Sequence, residues 1–143
     1  MYPKNVNEVA FNLLDSHDTP RILTLANGNR DRVKLLYLFQ LSFIGAPCIY
    51  YGDEIGMAGG QDPGCRACME WDEAKQDREL FNYIKTLLKW RKTEPVFGNH
   101  ADIRFIHADS EKNYVVYEKF NKDTRLQFIV NNSNEPLEIL SQE

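Results

Sequence analysis

Phe11-Asn12-Leu13-Leu14-Asp15-Ser16-His17-Asp18-Thr19-Pro20-Arg21 is the stretch on which the fold turns. It opens as a short apolar run and closes on a His-Asp pair and a turn. A strand that delivers titratable residues at its C-terminal end is how an α/β enzyme builds an active site. Val9 to Leu14 therefore reads as a buried strand, with Asp15 to Pro20 as the loop after it. Pro20 biases Thr19 away from helix.

Outward from that strand, Arg21 to Leu25 resumes order and Asn27-Gly28-Asn29 is a turn or cap signal. Asp31 to Phe43 reads as a helix whose apolar positions nearly surround it, so it packs on a sheet and under other elements as well. Gly45-Ala46-Pro47 stops that helix, and Cys48-Ile49-Tyr50-Tyr51 is a second short strand before Gly52-Asp53-Glu54. Strand, helix, strand at this spacing is a βαβ unit with parallel strands. Both strand exits, and their polar residues, then lie on one side of the sheet.

Gly56 to Asp72 is a long glycine-rich loop, a length that usually marks function or disorder. Asp62, Arg66, Met69 and Trp71 favour function. Asp77 to Lys92 is the clearest helix: its apolar residues share one face, and its charges run acidic to basic along the dipole. Past Glu94 the period changes from helical to alternating. Ile103–Phe105, Tyr114–Phe120, Leu126–Val130 and Pro136–Ile139 read as short antiparallel strands. A domain boundary is placed near Glu94 to Gly98.

The chain has 143 residues, enough for one domain or for a small domain plus part of another. With 43% hydrophobic and 27% charged residues, the composition is globular. A net charge of -4 argues against nucleic acid or an anionic membrane as partner. No apolar run approaches the roughly 20 residues that span a bilayer. The start, Met1-Tyr2-Pro3-Lys4-Asn5, lacks a signal-peptide pattern, and three cysteines form no disulfide framework. A cytoplasmic setting is the simplest expectation.

Several groups of residues have chemistry to offer. His17-Asp18 reads either as a capped turn, with Asp18 bonding backbone amides, or as a pair that bonds sugar hydroxyls, which both donate and accept. Asp53-Glu54 reads as a solvated strand end or as a second polar contribution. Asp62 and Arg66 clamp a polyol or simply brace their own loop. Cys65-x-x-Cys68 is a lone pair without partners, and no metal ligand set is expected. Tyr50, Tyr51 and Trp71 either stack on sugar or belong to the core.

These blocks resemble a known family. Phe11 to Arg21, then Gly45-Ala46-Pro47-Cys48-Ile49-Tyr50-Tyr51-Gly52-Asp53-Glu54-Ile55-Gly56-Met57, then Asp62-Pro63 with Arg66, Met69 and Trp71-Asp72, look like the α-amylase family, glycoside hydrolase family 13. The branch they resemble is that of neopullulanases, cyclomaltodextrinases and maltogenic amylases. The resemblance covers about residues 9 to 95.

It implies an α/β fold: a C-terminal slice of a (β/α)8 TIM barrel, the last two βα units, in residues 1–95. Residues 96–143 would then start an antiparallel all-β domain, a truncated β-sandwich. By the same resemblance Asp18 is the transition-state-stabilising carboxylate. His17 bonds the same sugar, Asp62 and Arg66 bind the glucan, and Arg21 is a further contact. Ser16 stands where the family usually has Asn. The family's nucleophile and acid/base have no match here, so an α-glucan hydrolase fragment, inactive alone, is expected. A non-catalytic glucan-binding module, a transglycosylase and a sucrose-active relative are the alternatives. No cofactor is expected in this segment; calcium stays open for the parent enzyme. Exposed sheet edges of a barrel slice invite self-association.

Overall fold

The computed structural model describes residues 2–138. In chain order the elements are α1 (Lys4–Asn7), β1 (Phe11–Leu13), α2 (Ile22–Leu25), α3 (Arg30–Ser42), β2 (Ala46–Cys48), α4 (Arg78–Thr93), β3 (Asp102–Asp109), β4 (Tyr114–Phe120) and β5 (Arg125–Asn131). Single 3-10 turns at Asp53–Ile55, Gly64–Arg66 and Glu73–Lys75 interrupt the long connection between β2 and α4.

β1 and β2 pair in parallel across α3, with Phe11 opposite Ala46, Asn12 opposite Pro47 and Leu13 opposite Cys48. The parallel unit expected from the sequence is therefore present, with two corrections. The second strand is Ala46–Cys48, not Cys48–Tyr51. Pro47 does not stop the helix; it sits inside a short ladder, where one missing donor is tolerated. The first strand is also not buried: Phe11 is 66% and Leu13 46% exposed. Among the described residues β1 has β2 as its only strand partner.

Gly45 makes the helix-to-strand corner. Its φ of 122° lies where side chains are strained, and an added Cβ would collide with Asn12 and the Ala10 carbonyl. Asn12 Nδ2 donates to Ile44 O at 2.8 Å and closes the corner.

Both long helices begin as their sequences direct. Asn29 caps α3 by accepting the Arg32 amide at 3.0 Å, and Asp77 caps α4 by accepting that of Leu80 at 2.9 Å. Lys34 and Glu79 join the two helices at 2.5 Å. Arg91 of α4 holds the C-terminal end of α3. It donates to Leu41 O at 2.5 Å and to Phe43 O at 2.9 Å, satisfying carbonyls that the helix leaves free.

β3, β4 and β5 form an antiparallel meander. β3 is longer than the sequence pattern suggests because it continues past an irregularity between Phe105 and His107. Of the expected fourth strand, Pro136 to Glu138 are not in a strand, and Ile139 lies outside the described residues.

One apolar core runs through both halves. Val33, Tyr37 and Leu41 of α3 meet Leu80, Ile84 and Leu87 of α4, and Phe97, Tyr117 and Phe128 continue it into the sheet. Tyr117 and Phe128 stack at 4.7 Å, and Tyr117 shares a 2.6 Å hydrogen bond with Ser42. Each such side chain contributes about 1.5–3 kcal/mol through burial. Lys119 is fully buried at this junction and donates to the carbonyls of Phe97 and Gly98. Burial, then the nearby Arg91, lowers its pKa to about 7.

Candidate active site

The loop leaving β1 is a turn closed by its own hydroxyls. Ser16 Oγ accepts the Asp18 amide at 3.1 Å, and Thr19 Oγ1 accepts the Ser16 amide at 3.0 Å. The capping work falls to Ser16 and Thr19, not to Asp18 as the capped-turn reading had it. The Asp18 carboxylate is thereby left facing solvent.

It does not stand alone there. His17 Nε2 lies 3.2 Å from Asp18 Oδ1, and Arg66 Nη2 lies 3.2 Å from the same oxygen. Arg66 Nε lies 3.1 Å from Asp62 Oδ1 and donates to the His17 carbonyl at 3.1 Å. His17, Asp18, Asp62 and Arg66 come from two segments more than 40 residues apart and converge on one surface. All four keep at least half of their side-chain surface exposed. Carboxylates, imidazole and guanidinium in one open cluster suit a ligand rich in hydroxyls.

The second segment reaches the cluster on a tight turn. Gly59 packs so closely on the Gly64 carbonyl that any side chain there would collide with it. Cys65 is buried, and its thiol donates to the His17 carbonyl at 3.2 Å. Cys68 is exposed, so the two cysteines of the pair face different environments. Trp71 is 80% exposed. No group of three or more potential metal ligands occurs among the described residues.

Arg21 requires a correction. Expected as a sugar contact, its side chain has no exposed surface. Nη1 donates to Tyr51 O at 2.6 Å and to Asp53 Oδ1 at 3.1 Å. The rings of Tyr50 and Tyr51 lie over the guanidinium at 4.7 and 4.6 Å. As placed, Arg21 lies beneath the site and touches no part of its surface.

Asp53 differs from expectation as well. It is no solvated strand end but is buried to 1% exposure. Burial and the adjoining Asp15 carboxyl push it up to about 8; the lesser, opposing pull comes from Arg21. Asp15 is buried too and accepts the Ile22 amide at 2.5 Å. The hydroxyl of Tyr37 reaches the other oxygen of Asp53 at 3.5 Å. This cluster was missed in the sequence, although acidic residues beside Leu14 and near Tyr50-Tyr51 are a signal for it.

An apolar groove of about 390 Å³, lined by Leu25, Leu36, Phe39, Val115 and Val130 among others, shares no residue with this cluster. No helix among the described residues is long and apolar enough to cross a membrane.

Residues 1–100 match the catalytic domain of α-amylase. The chain is 54% identical over 138 residues to a cyclomaltodextrinase of Geobacillus thermopakistaniensis (strain MAS1), covering 96% of this chain and 23% of that protein. It is 40% identical to neopullulanase 2 of Thermoactinomyces vulgaris, covering 99% and 24% respectively. A solved cyclomaltodextrinase superposes with a TM-score of 0.85 at 44% identity, covering 92% of this chain and 22% of that one. The chain thus spans about a quarter of the length of the curated relatives it matches. With a catalytic-domain match across well over half its residues, this chain belongs to the α-amylase family.

Proposed function

We propose that the chain is the C-terminal part of the catalytic barrel, with the start of the following β-domain, of a retaining α-glucan hydrolase. Its substrates are maltooligosaccharides, cyclodextrins or pullulan. The observation that carries this is the convergence of His17, Asp18, Asp62 and Arg66 at the exit of a parallel strand. In barrel enzymes that end of the strands is the catalytic face.

Asp18 is the helper carboxylate. Its hydrogen bonds to the sugar hydroxyls strengthen as the ring takes on oxocarbenium character, which is differential binding of the transition state. His17 bonds the same sugar, and Arg66 with Asp62 holds the adjoining glucan unit. Retaining hydrolysis also needs a nucleophile and an acid/base about 5–5.5 Å apart. Both belong to the part of the enzyme outside this chain, so the 143 residues alone do not hydrolyse glucan.

The test has two arms. The purified chain should release no reducing sugar from cyclodextrin or pullulan. In the parent-length enzyme, Asp18→Asn should lower kcat by orders of magnitude with the fold intact. Near-normal turnover in that variant would sink the assigned role.

The exposed apolar side chains of Val9, Phe11 and Leu13 mark the face that the rest of the barrel would cover. Left open, that face should draw copies of the chain together. Light scattering should show association that Phe11→Lys reduces; a clean monomer at high concentration would count against the barrel slice.

A further inference from the structure

We propose that Arg21 is the positioning residue of this site, a single buried cation from which both segments that carry the surface cluster are hung. The first segment is a six-step excursion from Asp15 to Arg21, with His17 and Asp18 at its tip. Both of its feet stand in the same buried cluster. Asp15 adjoins the carboxyl of Asp53, and Arg21 donates to Asp53 Oδ1 at 3.1 Å.

The second segment is held by the two rings that pack against the guanidinium, set edge to face 4.7 Å from each other. Tyr50 donates its hydroxyl to Cys65 O at 3.3 Å, and Tyr51 donates to Ala67 O at 2.6 Å. Those two carbonyls flank Arg66 in the chain. A third tie runs from the Arg21 amide to Gly59 O at 2.9 Å, at the start of the loop that leads to Asp62. Nε and Nη2 of Arg21 are buried without a hydrogen-bond partner among the described residues. The two rings, centred 4.7 and 4.6 Å from Cζ, hold the guanidinium by cation–π attraction in a dry setting. One planar cation thus fixes the mutual placement of Asp18 and Arg66 without touching either. Lysine offers neither the fork nor the stacking plane.

That the framed residues hold a sugar rests on the functional reading above; the frame itself does not. The test needs no sugar, so the two fail separately. Amide hydrogen exchange of the 143-residue chain is compared at Ile22, which donates to Asp15, at Arg66, which donates to Pro63 O, and at Leu87 within α4. Arg21→Met should speed exchange at Ile22 and Arg66 by about tenfold or more beyond any change at Leu87, the mark of local opening. The Arg66 Nε–H resonance, which reports the contacts to the His17 carbonyl and to Asp62, should move in the same variant. It should stay in place in Leu87→Ala, which weakens the core without touching either loop. Equal acceleration at all three amides in Arg21→Met would reduce Arg21 to general stability and overturn the proposal.

Should Arg21→Met not fold, the double variant Tyr50→Phe/Tyr51→Phe keeps both rings over the cation and removes the two hydroxyl ties. It should speed exchange at Arg66 and leave Ile22 as it is. An unchanged Arg66 amide there would overturn the proposal as well.

Discussion

Two charge clusters of the same residue types lie one above the other in this molecule. The upper one, Asp18, Asp62 and Arg66 with His17, is open to solvent on every member. The lower one, Asp15, Arg21 and Asp53, is closed off, and both sides of its ion pair have no exposed surface. The ion-pair distances are nearly the same, 3.1–3.2 Å above and 3.1 Å below. The surroundings set the difference. Two unit charges about 4 Å apart attract by about 1 kcal/mol in bulk water and about 4 kcal/mol at an effective dielectric near 20. Geometry alone does not tell a binding surface from a structural joint; hydration does. The wet cluster can exchange its partners for a ligand's hydroxyls, whereas the dry one cannot release any partner without leaving a buried polar group unpaired.

Breaking the lower cluster should have the larger effect on stability. Arg21→Met leaves Asp53 buried beside Asp15 with no cation to face. Removing one partner of a buried charged pair costs up to about 3–5 kcal/mol, and less where the carboxyl left behind is protonated. Urea unfolding followed by circular dichroism should show that loss. A loss below about 1 kcal/mol would place Arg21 with ordinary surface charges.

The second effect is a matter of pH. Asp53 is held up at about 8 in the folded chain, against an ordinary value of 3.8. The folded state therefore keeps a proton that the unfolded state has released. The sign follows: this group's contribution is fully present below about pH 4 and is lost as pH rises through about 8. Its slope is at most about 1.4 kcal/mol per pH unit. Asp53→Asn stays neutral throughout, so its stability should fall less between pH 5 and 8 than that of the unaltered chain. Parallel stability curves for the two would mean that Asp53 is ionised in the fold.

The upper cluster was legible in the sequence and the lower one was not, for a physical reason. A strand exit followed by His17-Asp18, and a long glycine-rich loop with Asp62 and Arg66, announce themselves by pattern and resemblance. Periodicity reports which face of an element is apolar; it does not report that a charge at an element's end turns inward. Arg21 follows a proline and opens α2, a one-turn helix, and nothing local distinguishes it from a surface arginine. What betrays it is long-range: two acidic residues in apolar and aromatic company need a cation between them. The same blindness displaces β2: locally Pro47 reads as a breaker, and its ladder partner Asn12 lies 35 residues away. The helices α3 and α4 are readable to within a residue or two because their signals are local: a cap on each, and an apolar stripe on α4.

The smallest effect makes the sharpest check. Arg66 is half exposed and joins Asp18 and Asp62 from the solvent side. An exposed pair of this kind contributes within about 1 kcal/mol, because water competes for every donor and the long side chain loses freedom in forming it. Arg66→Met should therefore lower stability by no more than that. What remains should fade as salt is raised toward 1 M, where the screening length falls to about 3 Å. The penalty of Arg21→Met should persist at the same salt, because ions do not enter the space between Tyr50, Tyr51 and Asp53. A loss above about 2 kcal/mol in Arg66→Met that survives high salt would put the upper cluster in the same class as the lower. Its residues would then be bracing one another instead of waiting for a ligand.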